Sequence, residues 1–286
     1  PTKEAVTFKQ RPITLGFLST SKVYDGKAFD EKDFGYDILG GSLVAGDSIT
    51  LKDYPSETNA SDNVPVPSVV ITNKDGIDVT KYYSAKTSTK KFTIQKKRIA
   101  IKGKRYSRTY DGTTDIYNDG DSKPAEKIEV DYDSSLLIGD DIIEITQNVS
   151  KVSPSVGTYS LPFTAAVKDS NGEDVTSNYD LDITPGTLEV KKRKVTINAG
   201  YSGSIEYRGT LSDKDQEVLT NNSLCSADNL ASSDELHLSA QYPNADDTSI
   251  TYTYQILNRK TQEDVSSNYD VTTNFTPVEA TKRELS

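Results

Sequence analysis

Apolar and polar residues alternate along most of this chain with a period of two. Val195 and Ile197 flank Thr196, and Leu181 and Ile183 flank Asp182, the spacing of a strand that buries one face and leaves the other in water. No stretch carries the apolar period of an amphipathic helix, which predicts under about a tenth of the residues in helices. Between the alternating runs lie turn pairs such as Asn171-Gly172 and Asp75-Gly76, which tolerate the positive φ of tight hairpins. The expected class is all-β. With roughly seven short strands at a time, the simplest architecture is two packed antiparallel sheets.

The pattern recurs. Tyr24-Asp25-Gly26 returns as Tyr110-Asp111-Gly112 and, altered, as Tyr207-Arg208-Gly209. A Gly-Asp turn ahead of a strand stands at Gly46-Asp47 and at Gly139-Asp140, with Ser233-Asp234 in its place in the third copy. Then come Asp78-Val79-Thr80, Asp174-Val175-Thr176 and Asp264-Val265-Ser266, each followed closely by a tyrosine, Tyr83, Tyr179 or Tyr269. Each copy opens on a strand-like triplet after a basic cluster: Ile13-Thr14-Leu15, Ile99-Ala100-Ile101 and Val195-Thr196-Ile197.

Self-similarity at a near-constant period marks a repeat array, and 286 residues hold about three sandwich modules of roughly 100 residues each. The expected division is residues 1–9 as the end of a preceding module, 10–95, 96–191 and a divergent 192–281 as three modules, and 282–286 as the start of another. The chain then reads as a piece of a longer array. A last strand such as Thr187-Leu188-Glu189-Val190 runs through Lys191 to Lys194 into the next first strand without a Gly/Ser/Pro-rich spacer. Such joints should be stiff and the array elongated. The basic clusters, Lys96 to Arg98 and Lys191 to Lys194, read as solvated edges free to pair with acidic surface.

Composition adds exclusions. A hydrophobic fraction of 34% suits thin cores between paired sheets. A formal net charge of −10 argues against nucleic acid, which needs a basic face. No run of about 18 apolar residues is present, so no membrane contact by this segment is expected. One cysteine, Cys225, cannot staple two sheets within a chain.

Three phrases of the second copy resemble the bacterial immunoglobulin-like repeats called MBG or YDG domains: "TYDG" at Thr109 to Gly112, "NGEDVTSNYDL" at Asn171 to Leu181, and "GTLEVKKRKVTI" at Gly186 to Ile197. The first copy keeps "VYDG" and "DGIDVT" but has Lys81-Tyr82 where Ser177-Asn178 stand in the second, and the third keeps "EDVSSNYDV" and departs elsewhere. The resemblance implies tandem immunoglobulin-like β-sandwich modules in an elongated array. It also implies an extracellular place on a Gram-positive cell surface and a stalk or adhesin role. An isopeptide bond from Lys to Asn is known on such surfaces, and Asn178 and Asn268 are available for one; Tyr82 in the first copy excludes a cross-link shared by all three.

Candidate chemistry is sparse. His237, the only histidine, has no partners that its strand-like setting implies, and paired carboxylates need a larger cleft than such modules supply. The expectation is no enzyme and no cofactor. Asp169, Asn171 and Asp174, matched by Asn73, Asp75 and Asp78, alternate somewhat like calcium ligands, although a hairpin turn explains them without an ion. Tyr24, Tyr110, Tyr207, Tyr83, Tyr179 and Tyr269 recur in register and read as packing residues whose hydroxyls bond nearby backbone carbonyls, as in a tyrosine corner.

The expected function is a structural spacer of a surface adhesin, monomeric, holding a distal binding region away from the cell. The alternative is that the second or third module itself binds a host matrix protein or glycan. The longer loop of the second copy, Ile116 to Val130 with Tyr117, Asp119, Asp121 and Lys123, is the place for such binding and otherwise reads as a solvated loop.

Overall fold

The structure, a computed structural model, describes residues 7–121, 124–242 and 249–282. It is an all-β fold, with 49% of residues in strands and 9% in helices. Among the described residues no helix is long and apolar enough to cross a membrane.

Two compact units form. The first comprises Pro1–Ile101, Tyr132–Thr146 and Thr164–Ile183; the second comprises Lys102–Asp131, Gln147–Phe163 and Thr184–Ser286. These units do not coincide with segments 10–95, 96–191 and 192–281, because the middle segment is divided between them. The segments 1–9 and 282–286 lie largely outside the described residues.

In the first unit, strand Arg11–Phe17 lies between Tyr36–Gly41, antiparallel, and Tyr83–Thr87, parallel. Lys91–Gln95 lies between Ser21–Val23, parallel, and Ser61–Pro65, antiparallel. Ser48–Lys52 pairs antiparallel with Ser68–Thr72. The period-two residues of the opening strand face inward, with Ile13 and Leu15 essentially buried. Ile13 packs with Ile71 and Tyr83. A second focus is aromatic: Phe92, fully buried, has the rings of Phe17, Phe34 and Phe29 at 5.0, 5.1 and 5.7 Å.

The second unit repeats the scheme. Arg193–Ala199 lies between Ser226–Asp228, antiparallel, and Tyr269–Phe275, parallel. The other sheet runs Ser204–Glu206, Val278–Thr281, Ser249–Asn258, Asp234–Gln241. Gly186–Lys191 lies between Arg105–Thr109, parallel, and Gly157–Leu161, antiparallel. One continuous core joins Tyr106, Tyr110, Leu161, Leu188 and Val190 to Val195, Ile197, Ile256 and Tyr269. Residues of the second and third copies therefore share a single apolar interior.

The third copy holds one α-helix, Asp213–Thr220, and the helical share of the described residues stays under the expected tenth. Ser212 and Asp215 form a reciprocal capping box at its start, and Leu219 fills the core beneath it. At eight residues it is too short to display an apolar period, so only its cap marked it in the sequence.

Candidate functional site

Each Asp-Val-Thr/Ser landmark is a turn that delivers a tyrosine. The carboxylate Oδ1 of Asp78, Asp174 or Asp264 accepts the backbone N–H two residues on, at 2.9 Å in all three. The hydroxyls of Thr80, Thr176 and Ser266 accept N–H groups of Ile71, Val167 and Ile256 at 2.8, 2.8 and 2.9 Å. These bonds close a one-turn 3-10 helix, Thr80–Tyr82, Thr176–Asn178 or Ser266–Asn268, and the next residue is the buried Tyr83, Tyr179 or Tyr269.

The tyrosine hydroxyls have a common address. Each accepts a backbone N–H, from Val44 at 2.9 Å, Ile138 at 3.0 Å or Ala231 at 3.1 Å. Each donates to a carboxylate, Asp47 at 2.6 Å, Asp141 at 2.6 Å or Asp234 at 2.7 Å. This corrects one expectation: the hydroxyl bonds an amide and a carboxylate rather than a carbonyl. In the middle copy the carboxylate is Asp141, the residue after the Gly139-Asp140 landmark. The turns explain the shift: N–H of Asp47, Asp141 and Asp234 donates to the carbonyl three residues back in each case, so those three residues are equivalent although glycine moves by one place.

The Tyr-Asp-Gly landmark is set by a parallel strand pair. The N–H of Tyr24 donates to Gln95, that of Tyr110 to Lys191 and that of Tyr207 to Thr281, at 2.8 to 2.9 Å. Gly26, Gly112 and Gly209 all have positive φ, 72°, 78° and 88°, a conformation that favours glycine.

The two landmarks meet across copies. In the first unit the Tyr24 ring stands edge-on to Tyr179, centroids 5.5 Å apart at 77°. In the second unit Tyr110 stands edge-on to Tyr269 at 5.4 Å and 76°, and its hydroxyl donates to Asp234 at 2.9 Å. Asp234, fully buried, thus accepts from both tyrosines, one from each copy.

Asparagines add a latch. Asn178 Oδ1 accepts the N–H of Ala60 at 2.9 Å, and Asn268 Oδ1 accepts that of Val156 at 2.8 Å. The approach is close: a Cβ on Gly112 would lie 2.0 Å from Ser233 Oγ. Both asparagines, considered above for a covalent cross-link, therefore have their side-chain carbonyls engaged by backbone amides.

Arg193 contradicts the reading of its cluster as a solvated edge. It donates to the Tyr110 carbonyl at 3.2 Å and to the carbonyl and side chain of Asn229 at 2.7 and 2.9 Å. All three acceptors are neutral. Arg98, in contrast, makes an exposed ion pair with Asp182 at 2.6 Å.

The loop Ile116 to Val130 is also not simply solvated. Ile116 and Ile128 enter the core, Asp119 accepts the N–H of Thr109 at 2.9 Å, and Tyr117 donates to Asp111. Arg108, fully buried, holds the stretch leading into this loop through Asp111 at 2.8 Å and the carbonyls of Thr113 and Asp115 at 2.7 and 3.2 Å. Lys123 lies outside the described residues.

Electrostatics follow the packing. Burial, then the adjacent carboxylate, pushes the hydroxyls of Tyr110, Tyr179 and Tyr269 well above the usual phenol range, because each phenolate would sit in low dielectric beside Asp234 or Asp141. Bonds from Thr176 hold Asp174 below its ordinary value, and backbone bonds led by Glu173 do the same for Asp169. Asp169 Oδ1 accepts from Asn171 and Glu173 at 2.9 Å, so this calcium candidate is bonded within its own turn. Among the described residues no three His, Cys, Asp or Glu side chains are grouped to hold a metal ion. His237 is exposed and lies 3.1 Å from Glu235. Cys225 is half-buried, its thiol 3.2 Å from the Leu219 carbonyl.

Compared with known proteins, the chain matches no family model and no curated protein.

Proposed function

We propose that this chain is a load-spacing segment of a bacterial surface protein, whose repeats hold a distal binding region away from the cell. The observation that carries the reading is the joint itself. Tyr24 against Tyr179, and Tyr110 against Tyr269, are buried contacts between consecutive copies, made by residues that recur in register. A protein whose repeats served separately would gain nothing from spending its repeated tyrosines on the contact between them.

Chain economy supports the same reading. Only Lys96 separates strand Lys91–Gln95 from Lys97–Gly103, and only Lys192 separates Gly186–Lys191 from Arg193–Ala199. One residue leaves few free torsions for bending.

Small-angle scattering of the whole chain tests the proposal. The expected particle has a maximum dimension on the order of 100 Å, the reach of three strand-length modules in line. A Gly/Ser insert after Lys192 should shorten the mean end-to-end distance despite lengthening the chain. A compact particle, or a native joint as flexible as the insert, overturns the spacer role.

A further inference from the structure

Strand Asp234–Gln241 forms one edge of its sheet, paired antiparallel with Ser249–Asn258 along its whole length and with no described strand on its other side. Both of its ends are capped from within the chain. The Ala240 N–H donates to Gln216 Oε1 at 3.0 Å and its carbonyl accepts from Gln216 Nε2 at 2.6 Å, while the Asp234 N–H donates to the Ala231 carbonyl at 3.0 Å. In an antiparallel ladder the backbone groups of alternate residues point to the same side, so those of Leu236 and Leu238 also point outward. Among the described residues no strand bonds them.

Neighbouring copies do not cover this edge. The equivalent strands of the first and second copies, Ser48–Lys52 and Ile142–Gln147, each pair with one strand alone, although a further copy follows both. Those two edges carry charges that oppose self-pairing. Counted from the equivalent Asp47, Asp141 and Asp234, Glu144 stands at the place of His237 and Lys52 at that of Ser239. Lysine on an edge is a guard against pairing, and like charges directly opposite each other destabilise it. The third copy has neither device.

We infer that two molecules of this chain join through this edge, antiparallel about a two-fold axis that sets His237 opposite His237 of the second molecule. This register uses every free group and leaves the bonds of Ala240 and Asp234 intact: Leu236 exchanges hydrogen bonds with Leu238 of the second molecule, and symmetry repeats the pair. A register shifted toward either end would compete with Gln216 or with Ala231. The side chains fit as well. Leu236 meets Leu238, and Glu235 meets the neutral Ser239 and lies diagonal to His237 of the other molecule, within reach of long side chains. Glu235 is itself matched by Arg259 at 3.3 Å. Both molecules use the same surface, so assembly closes at a dimer. Pairing over residues 235–239 is a small interface, which sets the association in the weak class. The spacer role does not depend on it, since a monomer would serve equally there.

Sedimentation velocity of the whole chain up to about 1 mM, the range of weak association, tests the inference in about 0.15 M salt, where the screening length is roughly 8 Å. The mass should rise to that of a dimer and stop. Amide hydrogen exchange on the same samples reads the contact itself: the Leu236 and Leu238 amides should exchange at least about twofold more slowly at the top concentration than in dilute solution, and the His237 amide, directed at Ser249–Asn258, should not change. His237→Glu and His237→Lys, both at an exposed position, set like charges opposite each other and should each weaken dimerisation about fivefold, with the melting temperature unchanged. Mixed in equal amounts, the two variants should pair with each other at least as tightly as the parent does with itself. A chain that stays monomeric throughout overturns the inference. So does a dimer whose Leu236 and Leu238 amides exchange no more slowly, one that neither variant weakens, or a mixture that fails to pair.

Discussion

Tyr110 donates its hydroxyl to the buried carboxylate of Asp234, 124 positions along the chain, at 2.9 Å. Asp234 also accepts from Tyr269 and from Ser233 Oγ at 2.7 Å each. Replacing it with Ala strands two buried phenolic hydroxyls, each costing about 1–3 kcal/mol when left unpaired. Asp234→Ala should therefore lower the stability of the second unit by about 3 kcal/mol or more, and Tyr110→Phe by about 1 kcal/mol. Calorimetric unfolding that leaves Asp234→Ala within error of the parent would show the carboxylate to be dispensable.

Alkaline pH should loosen the same contact. The folded-state tyrosines titrate above the unfolded value of 10.0, so the folded state holds its phenolic protons more tightly. The stabilisation is fully present below pH 10, begins to fade as the unfolded chain ionises there, and is lost as pH rises through the folded values. Denaturation midpoints measured from pH 8 to 11 should fall at the upper end, less steeply for Tyr269→Phe. A flat profile would place these hydroxyls in solvent.

Glycine substitutions separate backbone strain from close approach. Gly112 and Gly172 both have positive φ, 78° and 81°. An added Cβ meets Ser233 Oγ at 2.0 Å in the first case and nothing within 4 Å in the second. Gly172→Ala should cost about 1–2 kcal/mol, the left-handed penalty alone, and Gly112→Ala clearly more. Equal losses would mean that the joint yields freely.

Salt should matter little to the second joint. Arg193 binds carbonyl and amide oxygens rather than carboxylates, so raising salt from about 0.1 to about 1 M, which shortens the screening length from roughly 10 to 3 Å, leaves the contacts of Arg193 in place. Arg193→Met should cost about 1–3 kcal/mol, the loss of hydrogen bonds from a charged donor, with nearly the same value at both salt concentrations. A loss that vanishes in high salt would reassign Arg193 to the acidic surface.

The sequence by itself determined the all-β class and the existence of the repeat. Alternation of apolar residues at Ile13 and Leu15 or Val195 and Ile197 is a local property of a pleated strand, and it is visible without knowing what each strand packs against. The landmark tyrosines were visible for the same reason, since recurrence needs no coordinates. Their pairing was not. That Tyr110 meets Tyr269 and shares Asp234 depends on which sheet edge of one copy faces the next, a relation between residues over a hundred positions apart. The place of Asp141 depended on a turn's hydrogen bond rather than on its glycine. Arg193 looked like its solvated neighbours because charge is all that sequence records of an arginine, whereas its partners, a carbonyl of Tyr110 and the Asn229 side chain, are brought to it only by the fold. Tertiary structure decided the joints because burial there is supplied by the neighbouring copy, and local patterning carries no information about a neighbour.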